Sequence, residues 1–235
     1  MHPNIKISKN FFEKAAWTDN LYACGLDEVG RGCLAGPLVT GAVILPPKTS
    51  YRLLKDSKIL TEAERNTAYA WITKHCFWSV GIVSPQTIDT INIYQATLYA
   101  MKKAYLQLIE QMPISLESLK FVLIDAMPLT LPATARHAAL ELHHFNYGER
   151  FSASIAAASI VAKVTRDRLM EKIATSFPAF GFEQHKGYAT KQHIDALLEH
   201  GATLIHRQSF ISKIKTNPQK LMQQNLFELE THEET

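Results

Sequence analysis

Three acids in this sequence end apolar runs. Asp27 and Glu28 close LYACGLDE, and Asp125 closes LKFVLID. Where such runs form neighbouring strands of an open sheet, their ends bring side chains together on a stiff backbone. Carboxylates gathered there repel one another. Burying them without a counter-charge raises their pKa values and costs several kcal/mol. A divalent cation resolves the conflict, and a ligand set made only of oxygen favours Mg²⁺ or Mn²⁺ over zinc. Directly after the acids, Gly30, Arg31 and Gly32 place a cation between two glycines. Such a turn lets backbone amides approach a sugar–phosphate, with Arg31 on a phosphate. The plainer alternative is a flexible turn with a surface arginine. It is not a dinucleotide fingerprint, because the third glycine is misplaced and a strand follows instead of a helix.

One step is awkward. In an ideal strand Asp27 and Glu28 point to opposite faces. Both reach one site only if the strand ends or twists between them, which the nearby glycines make easy. The strand is therefore expected to break there. Otherwise Glu28 is a solvent-facing turn residue.

The elements that must position these acids are readable in outline. Residues 21–27 form a buried strand, and residues 38–45 (LVTGAVIL) a second, stopped by Pro46 and Pro47. Thr61, with Glu64 three residues on, has capping-box spacing and opens a helix to about Lys74. Residues 76–83 form a third strand. A short helix from Ser84 and a longer one over 93–111 follow. Residues 119–125 form a fourth strand and 143–147 a fifth. A short helix is expected at 133–142, a long one over 151–177, a polar loop at 181–190 and a helix over 190–200. Residues 1–20 read as a lead-in. The order predicts an α/β fold with a mixed five-stranded sheet flanked by helices.

Bulk properties narrow the class. The 235 residues, 46% hydrophobic and 20% charged, suit one substantial domain with a tail. Net charge is +3, and four glutamates in the last eight residues leave the body more basic than the whole. That is compatible with nucleic acid and also with simple solubility. Three cysteines without CxxC spacing read as reduced thiols. The N-terminus is not a signal peptide, and the apolar stretch near Ala156 is too short and too rich in Ser and Ala to span a bilayer. A cytoplasmic protein with no membrane contact is expected. The ten histidines give no zinc set.

GLDEVGRGCLAGPLVTGAVIL resembles the opening motif of type 2 ribonuclease H, the ribonuclease HII family. The resemblance continues through Asp56-Ser57-Lys58, LIDA at 123–126, ASIVAKVTRDRLM at 158–170, AFGF at 179–182, HKGYAT at 185–190 and HRQSF at 206–210. It implies an RNase H-like fold over residues 21–210, with residues 211–235 as a helical or partly disordered C-terminal extension. It implies a monomeric endonuclease that cuts RNA in RNA–DNA hybrids and the bond 5′ to a ribonucleotide embedded in DNA. The ions implied are Mg²⁺ or Mn²⁺.

Carried over motif by motif, Asp27, Glu28 and Asp125 match three of the family's four catalytic, metal-holding acids. The fourth is usually an Asp after a Gly. Here Glu149 follows Gly148, one methylene longer, and Asp167 in TRDR is the rival. By the same resemblance Gly30, Arg31 and Gly32 contact the ribose 2′-hydroxyl, and Tyr188 packs on the sugar that follows. Ala189 stands where the family usually has Gly. Lys58, Ser159 and Lys163 would touch backbone phosphates, although each alone reads as an ordinary surface or packing residue. His185 and His206 are candidate cleft residues. Gln223, Gln224, Asn225, Leu226 and Phe227 look like the short peptides that bacterial sliding clamps bind. The alternative is a terminal helix packed on the domain. Rival readings are a type 3 ribonuclease H, a junction resolvase, or a non-catalytic nucleic-acid-binding module on the same fold.

Overall fold

Alternation along β1 (Tyr22–Val29) sets the layers of the molecule. Cys24 and Leu26 pack in one apolar cluster with Met101, Tyr105, Val122 and Ile124. Ala23 packs in another with Phe121, Leu123 and Ile155. A strand buried on both faces reads as one unbroken apolar run, which is why residues 21–26 show no polar alternation. The computed structural model describes residues 8–112, 116–131 and 140–216.

Five strands form one mixed sheet in the order β3-β2-β1-β4-β5, with β2 at Leu38–Ile44, β3 at Phe77–Val83, β4 at Leu119–Asp125 and β5 at Glu141–Phe145. β1 runs antiparallel to β2 and parallel to β4, and β4 runs parallel to β5. This is the sheet expected from the sequence. The expected break between Asp27 and Glu28 is absent. β1 stays in register with β2 through Asp27↔Gly41, Glu28↔Thr40 and Val29↔Val39. Its recorded pairing with β4 ends earlier, at Leu26↔Ile124. The acids therefore sit where β1 keeps one partner strand and has run past the other.

The described residues fall into two compact units. One takes the chain before Gly30 with residues 39–82 and 97–165; the other takes 30–38, 83–96 and the chain from Arg166. In the first unit, the expected lead-in is part of the core. α1 (Phe11–Thr18) buries Phe12 and Ala16, and Glu13 is 1% exposed. The Glu13 carboxylate accepts from Ser152 Oγ at 2.5 Å and from the Ser154 amide at 3.0 Å. Asn10 Oδ1 accepts from the Ala153 amide at 2.9 Å. These acceptors satisfy amides that open α4 (Ala153–Ala174) and have no partner within the helix. α2 (Glu62–His75) begins with the full Thr61–Glu64 capping box. α3 (Pro85–Gln111) breaks at Asn92, with φ 62° and ψ 165°, so the two helices expected there meet end to end.

The first half of α4 lies directly on the sheet backbone, and two glycines permit it. A Cβ on Gly25 would stand 2.1 Å from the Ser154 carbonyl carbon, and one on Gly41 would stand 2.3 Å from the Ala158 oxygen. Both obstacles are backbone and cannot rotate away. Gly41→Ala is expected to lower stability by about 3 kcal/mol and the melting temperature by roughly 5–10 °C. Thermal melts followed by circular dichroism measure this, and a loss below about 1 kcal/mol would mean that the helix tolerates a wider gap.

In the second unit, residues 181–190 are not the polar loop expected. They hold the short helix α5 (Phe182–His185), and Phe182 is fully buried with Met170, Phe180 and Ile194. α6 (Lys191–His200) and α7 (Gln208–Thr216) follow. Asp89 accepts from the amides of Gln208 at 2.8 Å and Ser209 at 3.0 Å, so it caps α7. The helical extension begins with α7; the Gln223-to-Phe227 segment and the helix expected at 133–142 fall mostly or wholly outside the described residues. Among the described residues no helix is long and apolar enough to cross a membrane.

Candidate active site

Parallel register carries Asp27 and Asp125 to adjacent strand ends. Leu26 pairs with Ile124, so the acids occupy the next step on each strand and share a face. It is the face on which α4 lies, since Gly25 and Gly41, which admit the helix, are Asp27's neighbour at i−2 and its cross-strand partner. Asp27 is 7% exposed. Burial drives its carboxyl well above the ordinary aspartate range, and repulsion from Glu28 and then Asp125 adds to the effect. Two donors oppose it: the Ser159 hydroxyl and the Glu28 amide, which lies 2.6 Å from Oδ1. Glu28 is half-buried and starts on the opposite face by strand alternation, yet its charge still reaches Asp27.

Glu149 joins from a 3-10 turn at Gly148–Arg150. The Gly148 amide donates to Asp125 Oδ1 at 2.8 Å, and a Cβ on Gly148 would meet Ile155 Cδ1 at 2.6 Å. A side chain there would have to displace the end of Ile155 and would crowd Asp125 Oδ1 at 3.3 Å. Tyr147, in the left-handed region at φ 59°, turns the chain into that contact. The Glu149 carboxyl is raised mainly by burial, with Asp125 and Asp56 adding repulsion; its own backbone and Lys58 pull the other way. Asp167, the rival for the fourth acid, belongs to the other unit, where its charge bears on Tyr188.

The residues expected on phosphates divide. Ser159 is already engaged, 2.8 Å from Ser57 Oγ and bonded to Asp27. It orients a carboxylate from the helix. Lys163, one turn on, is half-buried, and Lys58 is exposed beside Glu149.

The second unit builds the glycine turn and Tyr188. Gly30 is buried at φ 93°, and a Cβ there would meet Arg166 Nε at 2.3 Å. Arg166 is fully buried. Its guanidinium donates to the carbonyls of Pro37 at 2.9 Å, Lys186 at 2.9 Å and Ala35 at 3.2 Å. Arg207, also fully buried, donates to Arg31 O at 2.9 Å and, through Nε and Nη2, to Gly36 O at 3.2 and 2.9 Å. Burial pulls the Arg207 pKa down to about 10, still far above neutral pH. These two planar forks hold the turn through its carbonyls. Sequence reasoning missed both, because an arginine inside a helical or polar run reads as a surface residue. Their one signal is their place in the TRDR and HRQSF motifs.

Tyr188 keeps 39% of its surface exposed. Its hydroxyl lies against Cys33; the charge of that neighbour and then burial raise the phenol, against the pull of Arg166. Arg166 stands 5.7 Å from the ring centre. His185 and His206, expected to line a cleft, are instead buried, at 8% and 2% exposed. The cause is the packing around Phe180 and Phe182: the turn carrying His185 folds inward, and His206, from the chain after α6, packs on the same two rings.

Among the described residues no three carboxylate, imidazole or thiol side chains are gathered as a ready-made metal cage. The donor set nevertheless fits a hard divalent cation. It is all oxygen, and the repulsion loaded on Asp27 is what a bound cation would relieve.

Comparison with known proteins agrees across sequence and fold. The family model described as "Ribonuclease HII" matches residues 24–213. A "Ribonuclease HII" of Bacillus mycoides (strain KBAB4) is 45% identical over 214 residues, covering 87% of this chain and 77% of that protein. The ribonuclease H2 of Pyrococcus horikoshii OT3 superposes with a TM-score of 0.64 at 26% identity, covering 80% of this chain and 93% of that one. The RNase HII chain of a PCNA complex from Archaeoglobus fulgidus superposes with a TM-score of 0.61 at 27% identity, covering 80% and 94%.

Proposed function

Since the chain belongs to the ribonuclease HII family, whose members are hydrolytic endoribonucleases, we propose that it cleaves the RNA strand of RNA–DNA hybrids and the phosphodiester 5′ to a ribonucleotide embedded in duplex DNA, leaving 5′-phosphate and 3′-hydroxyl ends. The observation that carries this reading is the placement of Asp27 and Asp125 one step beyond the last β1–β4 pair, on one face, with the Asp27 carboxyl raised by burial and by its neighbours. Asp27, Glu28, Asp125 and Glu149 would hold Mg²⁺ or Mn²⁺. A bound divalent ion supplies Lewis-acid stabilisation at the phosphoryl oxygens and a more acidic water.

The chain's own residues do the rest. Ser159 and the Glu28 amide fix the Asp27 carboxylate before substrate arrives. The Gly148 amide does the same for Asp125. Residues 30–32 present backbone groups to the ribose 2′-hydroxyl, the one group that separates RNA from DNA at the cut. Two stapling arginines support that role, because a backbone that reads a hydroxyl must not move. The exposed Tyr188 ring packs on the following deoxyribose, where an added 2′-hydroxyl is disfavoured. Lys58 and Lys163 meet backbone phosphates. The Archaeoglobus fulgidus complex with PCNA supports the sliding-clamp reading of the segment from Gln223 to Phe227.

The test is a DNA duplex carrying one ribonucleotide, compared with a long hybrid. Cleavage of both is expected, with the embedded ribonucleotide cut on its 5′ side. Cleavage of the long hybrid alone would return the assignment to another nuclease of this fold.

A further inference from the structure

We propose that His193 and His206 are positioning residues for Tyr188: two neutral imidazoles in a directed hydrogen-bond relay that ends on the Tyr188 carbonyl and fixes the turn carrying its ring. The proposal rests on the reading of Tyr188 as the residue that packs on the sugar.

The direction of the relay follows from its two ends. The Thr203 amide lies 3.0 Å from His206 Nδ1. An amide nitrogen only donates, so Nδ1 accepts, and the His206 proton is on Nε2. At the other end His193 Nδ1 lies 2.9 Å from the Tyr188 oxygen. A carbonyl only accepts, so His193 carries its proton on Nδ1, and its Nε2 is an acceptor. The two Nε2 atoms are 3.1 Å apart, with one proton between them, donated by His206. Every ring nitrogen is satisfied by one tautomer of each residue, and no second assignment satisfies both ends.

The surroundings keep the pair neutral. His193 is fully buried and His206 is 2% exposed. Burial, and for His193 also the neighbouring imidazoles of His185 and His206, brings each pKa down to about 4. The faces around them are apolar or uncharged: Phe180 and Phe182 from α5 and the turn before it, Thr203 from the chain after α6, and His185 stacked on His193 at 4.6 Å. Glu183 and Lys186 act on His185, and the His200 ring packs on Phe180. An extra proton on His193 Nε2 would set two N–H groups against each other at 3.1 Å, and one on His206 Nδ1 would face the Thr203 amide at 3.0 Å.

The turn needs such a hold. Lys186 has φ 50° and Gly187 φ 87°, and a Cβ on Gly187 would stand 2.4 Å from the Ala35 oxygen. The Tyr188 carbonyl also accepts from the Thr190 amide at 2.9 Å, so the relay is the side-chain half of a two-donor clamp.

The experiment measures kcat/KM on the single-ribonucleotide duplex relative to the long hybrid, a ratio that cancels what the carboxylates contribute to both. Tyr188→Ala is expected to lower it, and His206→Phe, which keeps a ring and removes the donor, to lower it about tenfold through KM on the duplex. His206→Gln places an amide N–H where Nε2–H was and is expected to stay within about threefold of wild type. A folded His206→Phe with an unchanged ratio, while Tyr188→Ala lowers it, overturns the relay and leaves the reading of Tyr188 standing. An unchanged ratio in Tyr188→Ala overturns both. Should His206→Phe fail to fold, nitrogen NMR of the wild-type imidazoles at neutral pH decides. The Nδ1–H tautomer for His193 and the Nε2–H tautomer for His206 are expected, and any other assignment overturns the relay.

Discussion

Asp27→Asn is expected to lower single-turnover cleavage by about 10³-fold or more while leaving hybrid binding within a few-fold of wild type. The substitution is isosteric and keeps an oxygen to accept from the Glu28 amide. What it removes is a buried charge held against two others. The same charge is unfavourable to the fold. The Asp27 pKa is higher folded than unfolded, so its ionisation takes stability away as pH rises from the ordinary aspartate range through the raised value. At neutral pH without divalent ion, Asp27→Asn is therefore expected to melt higher than wild type, by an amount on the order of 1 kcal/mol. Adding Mg²⁺ or Mn²⁺ should raise the wild-type melting temperature and leave the variant's nearly unmoved. A residue serving only the core would behave oppositely, losing stability when changed and gaining none from the ion. Cleavage within tenfold of wild type would remove Asp27 from the reaction altogether.

What the sequence made legible were features whose signal is local. Apolar runs ending in acids marked β1 and β4, because a strand buried on both faces has nowhere to put a charge except its end. Thr61 and Glu64 marked the start of α2, since both halves of a capping box lie within four residues. The facing problem at Asp27 and Glu28 was real: β1 stays regular through both acids, so their side chains start on opposite faces. What the local pattern did not show is that β2 holds β1 in register past the last residue paired with β4. The missed features depend on partners distant in sequence. Glu13 looked like a charge in a polar lead-in; it is a buried acceptor for a hydroxyl 139 residues away and an amide 141 residues away. Arg166 and Arg207 bind carbonyls more than 100 residues distant, and no spacing along the chain announces a backbone carbonyl as a partner. The histidines misled for a related reason. They sit among polar residues, and burial by Phe180 and Phe182 appears only once the turn has closed.

Arg166→Met is expected to damage both the fold and cleavage, for a different reason from the loss of an acid. Methionine fills much of the volume but leaves the carbonyls of Ala35, Pro37 and Lys186 without the donor that now reaches all three. Each buried carbonyl so exposed costs about 1–3 kcal/mol; relaxation recovers part, and a net loss of roughly 3–5 kcal/mol is expected. Arg166→Lys should recover little, because one ammonium cannot span three carbonyls set out for a planar fork. The damage should be local. The amides of Leu34 and Ala35, which donate to the Gly187 carbonyl, belong to the same braced segment and should exchange with solvent much faster. Amides of β4, in the other unit, should keep their protection. That pattern separates a loosened turn from a weakened fold, which would raise exchange everywhere together. Cleavage should then fall about 100-fold with the four acids untouched, because the turn proposed to read the ribose would no longer be held in place. If the amides at 34 and 35 exchange as slowly in Arg166→Met as in wild type, the guanidinium is not what fixes the turn, and the bracing must come from Arg207 and the Gly187 carbonyl alone.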